Sequence, residues 1–499
     1  MADEAVRRGA WAGVVAGLVT AAAMYLAAAL VGLRTLPEAL QQPVLATMPG
    51  PVFGFLIDNL QHAGKVLEEA GLLVLMVLAL SALGIAAGVV AERRRLPRTG
   101  LLAGAAGWLV VTLLLLPVAG DGFLGLRGGL TEPLGWAALF TIYALVWEAI
   151  WSPRRPSEPD LGRRRLVTAL PAGLALGSLA LLGVLKVPAW IRDVTSPPEA
   201  GLSGPVPEIT PVANFYVVSK NFSDPVVSAS DWSLRVGGLV DRALRLDYTQ
   251  LRQLPSTTTE TVTLECVSND VGGNLMSTGS FTGVPLRDLL VMASPQPKAT
   301  AVTFKARDGF TESATLKTVM DDPTIIVAYN LGGRPLPDKH GFPARILIPG
   351  HYGMRGPKWL EEINLTDSDS GGYWEGQGWD HQAVVKTTAR FDSPRGDAIV
   401  SFGPLELAGV AFAGVRGVQA VEWTADGGRT WSPAELKPPL SPLTWTLWRA
   451  TWTPPREGAY TLQVRARDGR GELQGSQVAP SFPNGATGYH TIHVTISKQ

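Results

Sequence analysis

Cysteine is the scarcest chemical resource in this sequence: Cys266 is the one example in 499 residues. That excludes an internal disulfide, an iron–sulfur cluster held by several thiolates of this chain, and a Cys-x-x-Cys-His haem attachment. It neither requires nor excludes oxidising surroundings. Histidine is scarce too, with six in all, and none falls inside the long apolar runs. The usual axial ligands of a membrane haem are therefore missing from those runs. Charge of one sign is also lacking: the formal net charge is zero, so no global excess points to nucleic acid or to an acidic partner.

The hydrophobic fraction of 46% is unevenly spread. Residues 1–190 are dominated by Ala, Leu, Val and Gly, whereas residues 200–499 have the composition of an ordinary soluble protein. Five segments reach the ~20 predominantly apolar residues that span a bilayer as a helix, near 10–33, 70–90, 100–118, 134–151 and 166–187. A further apolar stretch, 43–60, contains Pro43, Pro49, Gly50 and Pro51 and reads as a loop or interfacial piece. Glu148 is the carboxylate closest to the core of a span, placed near enough to its end to snorkel. Arg7 and Arg8 precede the first span; Arg93, Arg94, Arg95 and Arg98 follow the second; Arg154, Arg155, Arg163, Arg164 and Arg165 separate the fourth from the fifth. The alternate loops hold Arg34, Lys65 and Arg127. Positive residues stay inside, so the N-terminus is expected in the cytoplasm of a multi-pass cell-membrane protein and the chain beyond about Pro188 outside it. Arg163, Arg164 and Arg165 before a Gly/Ala-rich run admit two readings, a twin-arginine export signal or arginines that only fix orientation.

The expected organisation is multi-domain. An all-α transmembrane bundle of five helices covers 1–190, and a Pro/Gly/Ser-rich linker covers 191–210. An α+β domain follows over 211–386, with strands read at Trp232–Val240 and Ala344–Pro349 and a short helix at Leu286–Met292. From 391 to 499 short alternating strands separated by Gly and Asp turns predict an all-β sandwich. His490 and His493 stand three apart in its last strand, hence on opposite faces, which argues against a shared metal.

A lone cysteine is ordinarily a small buried hydrophobe; the surroundings of Cys266 point elsewhere. A β-rich run, 261–266, breaks into a loop carrying Gly272 and Gly273, which presents the thiol at a strand end. Thiolate is a soft ligand for a transition metal, yet one thiolate cannot hold a metal alone, so an organic chelator is needed. Further on, Lys339, Arg345, Arg355 and Lys358 fall within about 20 residues together with His340, His351 and several glycines. Arg forks and Lys point charges suit a phosphate, and glycines allow backbone N–H groups close to it.

Leu264, Glu265, Cys266, Val267, Ser268 and Asn269, the run from Phe281 through Gly283 and Leu286 to Leu290, and the series His340, Pro343, Arg345, Pro349, Gly350, Gly353, Lys358, Trp359 together resemble the sulfite-oxidase family. The resemblance covers 211–386, and the tail resembles that family's Ig-like dimerisation domain. It implies a molybdenum held by the dithiolene of one molybdopterin (the Mo-molybdopterin cofactor) and one protein thiolate, with Cys266 at the thiolate position. By the same matching Asp308, His340, Arg345, Gly356, Pro357 and Lys358 fall on cofactor-binding positions, and Asn214, Tyr216, Lys220 and Asn221 on the N-terminal cofactor loop. Lys220, Asn269, Arg355 and Trp379 join Cys266 as the expected catalytic set.

Some positions depart from the family. Where animal and plant sulfite oxidases carry an arginine in the N-terminal loop and basic residues after the metal cysteine, this chain has Ser219 and Lys220, and Asp270 and Val271. The family's active-site tyrosine is replaced by Trp379. An oxyanion wants converging cations, and here Lys220 and Arg355 are the candidates. The expected function is two-electron oxygen-atom transfer on a small oxo-anion or sulfoxide-type substrate, with electrons exchanged with a separate carrier, a cytochrome or a membrane redox partner. A periplasmic methionine-sulfoxide-type reductase fed by quinol through a partner is the alternative. A non-catalytic membrane receptor is the alternative of another class. The resemblance of the tail further implies a homodimer.

Overall fold

The computed structural model describes residues 2–48, 50–94, 96, 98–151, 161–195, 206–222 and 224–498. The arginines at 95, 154 and 155 and positions 196–205 of the expected linker lie outside the described residues, as do the side chains of Arg163, Arg164 and Arg165. Residues 191–195 continue a helix that begins at Leu161. The chain falls into two compact units, one helical and one rich in strands.

Five helices of the first unit are long and apolar enough to cross a membrane: Val6–Val31, Ala63–Arg94, Thr99–Val118, Thr131–Trp151 and Leu170–Pro188. Small residues set their spacing, as expected where close backbone approach supplies the attraction. A Cβ on Gly13 would stand 2.8 Å from the carbonyl oxygen of Ser81, and one on Gly84 would stand 2.4 Å from Cα of Gly13. A second seam puts Gly104 and Gly107 against Phe140. The aromatic residues of Thr131–Trp151 fill the interior: Tyr143 and Trp147 are fully buried and donate to the carbonyl oxygens of Leu80 and Gly84.

One expectation is corrected here. The loop reading of 43–60, offered beside an interfacial one, does not hold for most of its described residues: Leu36–Thr47 forms one helix and Gly50–Arg94 another. Thr35 and Glu38 close a capping box on the first, and Pro51 falls in the first turn of the second, where a missing N–H breaks no hydrogen bond. Near the end of its span, Glu148 Oε2 accepts from the Gly100 N–H at 2.8 Å, at the start of Thr99–Val110 where free N–H groups need an acceptor. A polar knot went unread in the sequence. Glu69, 5% exposed, accepts from Tyr25 and Trp190 and pairs with Lys186 at 2.6 Å.

The second unit begins with two sheets. The first runs in the order Leu244–Asp247, Ser233–Gly238, Leu360–Thr366, Ala301–Ala306, Thr311–Thr315. It packs on Leu286–Ala293 through Trp232, Leu234, Phe304, Ile363 and Leu289. The second runs Thr258–Glu265, Met276–Pro285, Ile326–Leu331, Arg334–Pro335, with Arg345–Leu347 also paired to Ile326–Leu331. Phe215, Phe281, Leu264 and Leu347 form its core. Beyond residue 387 two more sheets face each other. One is Thr388–Ser393, Leu405–Phe412, Thr446–Trp452, Glu435–Leu436; the other is Ala398–Ser401, His490–Ser497, Gly458–Asp468, Val418–Thr424, Ser432–Pro433. Phe391, Trp423, Trp448, Trp452, Leu462 and Val494 fill the space between them. The period-two alternation of apolar residues in the sequence is the cause of that layer.

The tightest helix contact gives a test. Gly84→Leu is expected to destabilise the helical unit by ~1–3 kcal/mol through overpacking, read as a lower thermal midpoint in detergent. An unchanged midpoint would contradict the close approach of Gly84 to Gly13.

Candidate active site

Cys266 is the first residue beyond the strand Thr258–Glu265, and it is 8% exposed. Its N–H donates to the Leu275 carbonyl at 2.9 Å, and Asn269 ties the intervening loop shut. The Asn269 backbone N–H donates to the Cys266 carbonyl, its Oδ1 accepts from Leu275 N–H at 2.9 Å, and its Nδ2 donates to Glu265 Oε1 at 2.9 Å. The C-terminal sheets press on the same loop. Arg390 donates to the Gly273 carbonyl at 2.6 Å, and a Cβ on Gly272 (φ +78°) would strike the His490 ring at 2.3 Å. The thiol that results is fixed, with Ser268 Oγ 3.1 Å from its sulfur. Burial pushes its pKa up.

Cys266 lines a pocket together with Tyr216, Lys220, Asp308, His340, Arg345, Gly356, Pro357, Lys358 and Trp379. One wall is cationic. Arg345 is 6% exposed; among the described residues its Nη atoms reach only the carbonyls of His340 (3.3 Å) and Gly356 (3.4 Å), and its Nε has no partner. No carboxylate pairs with it among the described residues, and burial pulls its pKa down to about 10. Burial, then the charges of Arg345, Lys358 and Lys339, lower His340 to about 3, so its imidazole is neutral at ordinary pH. Lys358 donates to the carbonyls of Lys339 (2.9 Å) and Val218 (3.2 Å). Glycines give this wall its closeness: a Cβ on Gly356 would sit 2.7 Å from the Ile346 carbonyl oxygen, and one on Gly353 would sit 2.6 Å from the Tyr216 hydroxyl.

Residues 221–374 match the family model described as an oxidoreductase molybdopterin binding domain. Mouse mitochondrial sulfite oxidase is 27% identical over 310 residues, 52% of this chain and 57% of that protein. Chicken (Gallus gallus) sulfite oxidase is 29% identical over 306 residues, 51% of this chain and 66% of that protein. Tomato (Solanum lycopersicum) NADH nitrate reductase is 32% identical over 291 residues, 47% of this chain and 32% of that protein. Among solved structures, the sulfane dehydrogenase SoxCD from Paracoccus pantotrophus superposes with a TM-score of 0.52 at 23% identity, covering 59% of this chain and 82% of that one; the likeness is one of fold. The chain carries a sulfite-oxidase-type molybdopterin oxidoreductase domain. It spans just over half the length of the mouse relative and no more than 66% of the chicken one.

The residues of this molybdopterin domain fit the cofactor on structural grounds. A buried guanidinium with an orphan Nε and no carboxylate partner suits a phosphate. A neutral imidazole offers a donor and an acceptor to a heteroaromatic ring. A lone thiol in the same pocket supplies the soft ligand.

Of the sequence-predicted residues, Asn214, Asn221, Asn269 and Arg355 do not line the pocket. Asn214 ends the turn Val212–Asn214, and its neighbours Phe215 and Tyr216 face inward instead. Asn221 stands behind Lys220, accepting from its Nζ at 2.8 Å and donating to Asp308 Oδ2 at 3.0 Å. Asn269 closes the cysteine loop. Arg355 turns to Glu312 (2.9 Å) and Glu375 (2.5 Å). Lys220 does face the pocket, but as a paired cation 3.3 Å from Asp308 Oδ2. Trp379 lines it, its buried indole N–H lacking a partner among the described residues. Sequence reasoning missed Phe310, Met354 and Trp374 as lining residues, and Glu312 and Glu375 as the partners of Arg355. Glu312 sits inside an ordinary short strand, Thr311–Thr315, so no motif marks it; Trp374 could have been found from its place beside the Trp379 segment.

The cofactor role that the sequence assigns to Arg345 has a direct check. Arg345→Met is expected to weaken pterin retention ~10–100-fold, the worth of one or two charge-assisted hydrogen bonds, measured as pterin released from purified protein on denaturation. A full pterin complement would contradict that role.

Proposed function

We propose that this chain is a membrane-anchored oxidoreductase in which Cys266 is the protein ligand of a Mo-molybdopterin cofactor, acting by two-electron oxygen-atom transfer on a small oxo-anion or sulfoxide-type substrate. The observation that carries the reading is the meeting of the chain's one thiol and the carboxylate-free Arg345 in a single pocket. The cofactor, when bound, supplies the oxygen-atom and electron chemistry. Arg345, Lys358 and Lys339 would hold its phosphate end, with His340 neutral beside them. Asp308, locked by the Phe310 N–H at 3.0 Å and by Lys220, offers carbonyl and carboxylate acceptors toward the pterin's N–H groups. Tyr216, raised well above its ordinary pKa by burial, stays a neutral phenol donor beside Cys266. Trp374, Trp379 and Phe310 keep water from the reacting end.

The five apolar helices would anchor the domain, with the N-terminus cytoplasmic and the catalytic part extracytoplasmic, because the arginine-rich loops alternate with arginine-poor ones. One cysteine leaves no room for a second redox centre held by thiolates of this chain, so electrons would pass to a separate carrier. The paired sheets of residues 391–499, an Ig-like sandwich in this reading, would serve as the dimer face. They also buttress the Cys266 loop within one chain, through Arg390 and His490.

Cys266→Ser is expected to abolish turnover with artificial electron donors or acceptors while pterin stays bound, because the phosphate contacts lie on other segments. Assays of natively purified protein against sulfite, sulfoxides and other oxo-anions, with pterin measured in parallel, check both halves. Activity that survives the substitution would overturn the ligand assignment. Native protein lacking molybdenum would favour the receptor alternative.

A further inference from the structure

Met354 and Gly356 both line the pocket, and Arg355 between them does not. Its guanidinium is held elsewhere on both sides. Nη1 pairs with Glu312 Oε1 at 2.9 Å and Glu375 Oε1 at 2.5 Å and donates to the His381 carbonyl at 3.0 Å. Nη2 donates to the Ser313 carbonyl at 2.7 Å. The three side chains are 9%, 0% and 8% exposed, so water screens the cluster little and the ion pairs stay strong. Glu375 offsets the guanidinium's charge, and Glu312, which burial raises to about 8, adds a second buried partner, so no positive charge is left for a ligand. Lys220, the other candidate cation, is likewise matched by Asp308. Lys339, Arg345 and Lys358 belong to the wall that would hold the cofactor's phosphate.

Apart from these cations and the hydroxyls of Tyr216, Ser219 and Ser268, the lining includes the aromatic and apolar side chains of Phe310, Met354, Trp374 and Trp379. The dipolar S=O or N–O group of an uncharged oxo compound gives up less hydration on entering such a lining than a charged oxyanion does. A free oxyanion would lose its hydration at this face and find no unspent cation in return.

We propose that Glu312 and Glu375 are specificity-determining residues that hold Arg355 out of the pocket, so that the site takes an uncharged oxo compound of the sulfoxide or N-oxide class in preference to a free oxyanion. This rests on reading the pocket as the molybdopterin site. Glu312 and Glu375 act through Arg355 and are not themselves in contact with substrate.

The test uses the full-length, molybdenum-loaded protein in detergent, with sodium sulfate and dimethyl sulfoxide as calorimetric probes. In the wild type, dimethyl sulfoxide is expected to bind and sulfate to bind at least ~10-fold more weakly, a difference of ~1.4 kcal/mol. In the double variant Glu312→Gln, Glu375→Gln the freed guanidinium is expected to raise sulfate affinity by ~10-fold or more, with dimethyl sulfoxide binding altered less than ~2-fold. Arg355→Met in the wild-type background should leave sulfate binding unchanged, and it keeps the idea falsifiable if the double variant does not fold. Tight sulfate binding by the wild type overturns the proposal; so does weaker sulfate binding in Arg355→Met. Molybdenum and pterin content are measured on every preparation: native protein without them defeats the cofactor reading, whereas loaded protein with unchanged sulfate affinity in the double variant defeats only this inference.

Discussion

Burying a thiol at the rim of a cationic pocket is the constraint around which the second unit is organised. A strand end alone would leave Cys266 free to swing. The Asn269 carboxamide prevents this by bonding both the start and the end of the loop, accepting from Leu275 N–H and donating to Glu265. Arg390 and His490 then press the loop from the C-terminal sheets. A metal ligand must be held within a fraction of an ångström of its working place, and supporting residues of this kind do that holding. Asn269 therefore matters to the site without facing it.

Charge is partitioned with similar economy. Arg345 keeps an uncompensated charge inside the protein, which is tolerable only where a ligand supplies the counter-charge. Arg355, ten residues away, is closed off by two acids, and Lys220 by one. Cations of one type thus serve different ends. Arg345, with Lys339 and Lys358 beside it, would serve a resident anion, whereas Arg355 and Lys220 have their charge matched within the protein.

Much of this was legible in the sequence for physical reasons. Period-two alternation marks strands such as His490–Ser497 wherever one face is buried, and long apolar runs mark the five helices, because lipid-scale burial demands them. The Cys266 loop and the 339–359 series were legible because glycines, prolines and cations at fixed offsets are costly without a site to serve. The loop reading of 43–60 failed because its prolines were taken as breakers, whereas Pro51 falls in a first turn and Pro43 is accommodated inside Leu36–Thr47. The fate of Arg355 was not legible, since Glu312 and Glu375 lie 43 and 20 residues from it along the chain and only the tertiary fold brings them together. Asn269 was assigned to the chemistry for a related reason: adjacency to Cys266 in sequence says nothing about which way a carboxamide turns.

The central claim is a bond between one sulfur of this chain and a chelated molybdenum, and X-ray absorption at the molybdenum edge counts that sulfur directly. The account predicts three sulfur ligands in natively purified protein, two from the pterin dithiolene and one from Cys266, and two when serine replaces the cysteine. An unchanged sulfur count in the serine variant, or a molybdenum environment without sulfur, would contradict it.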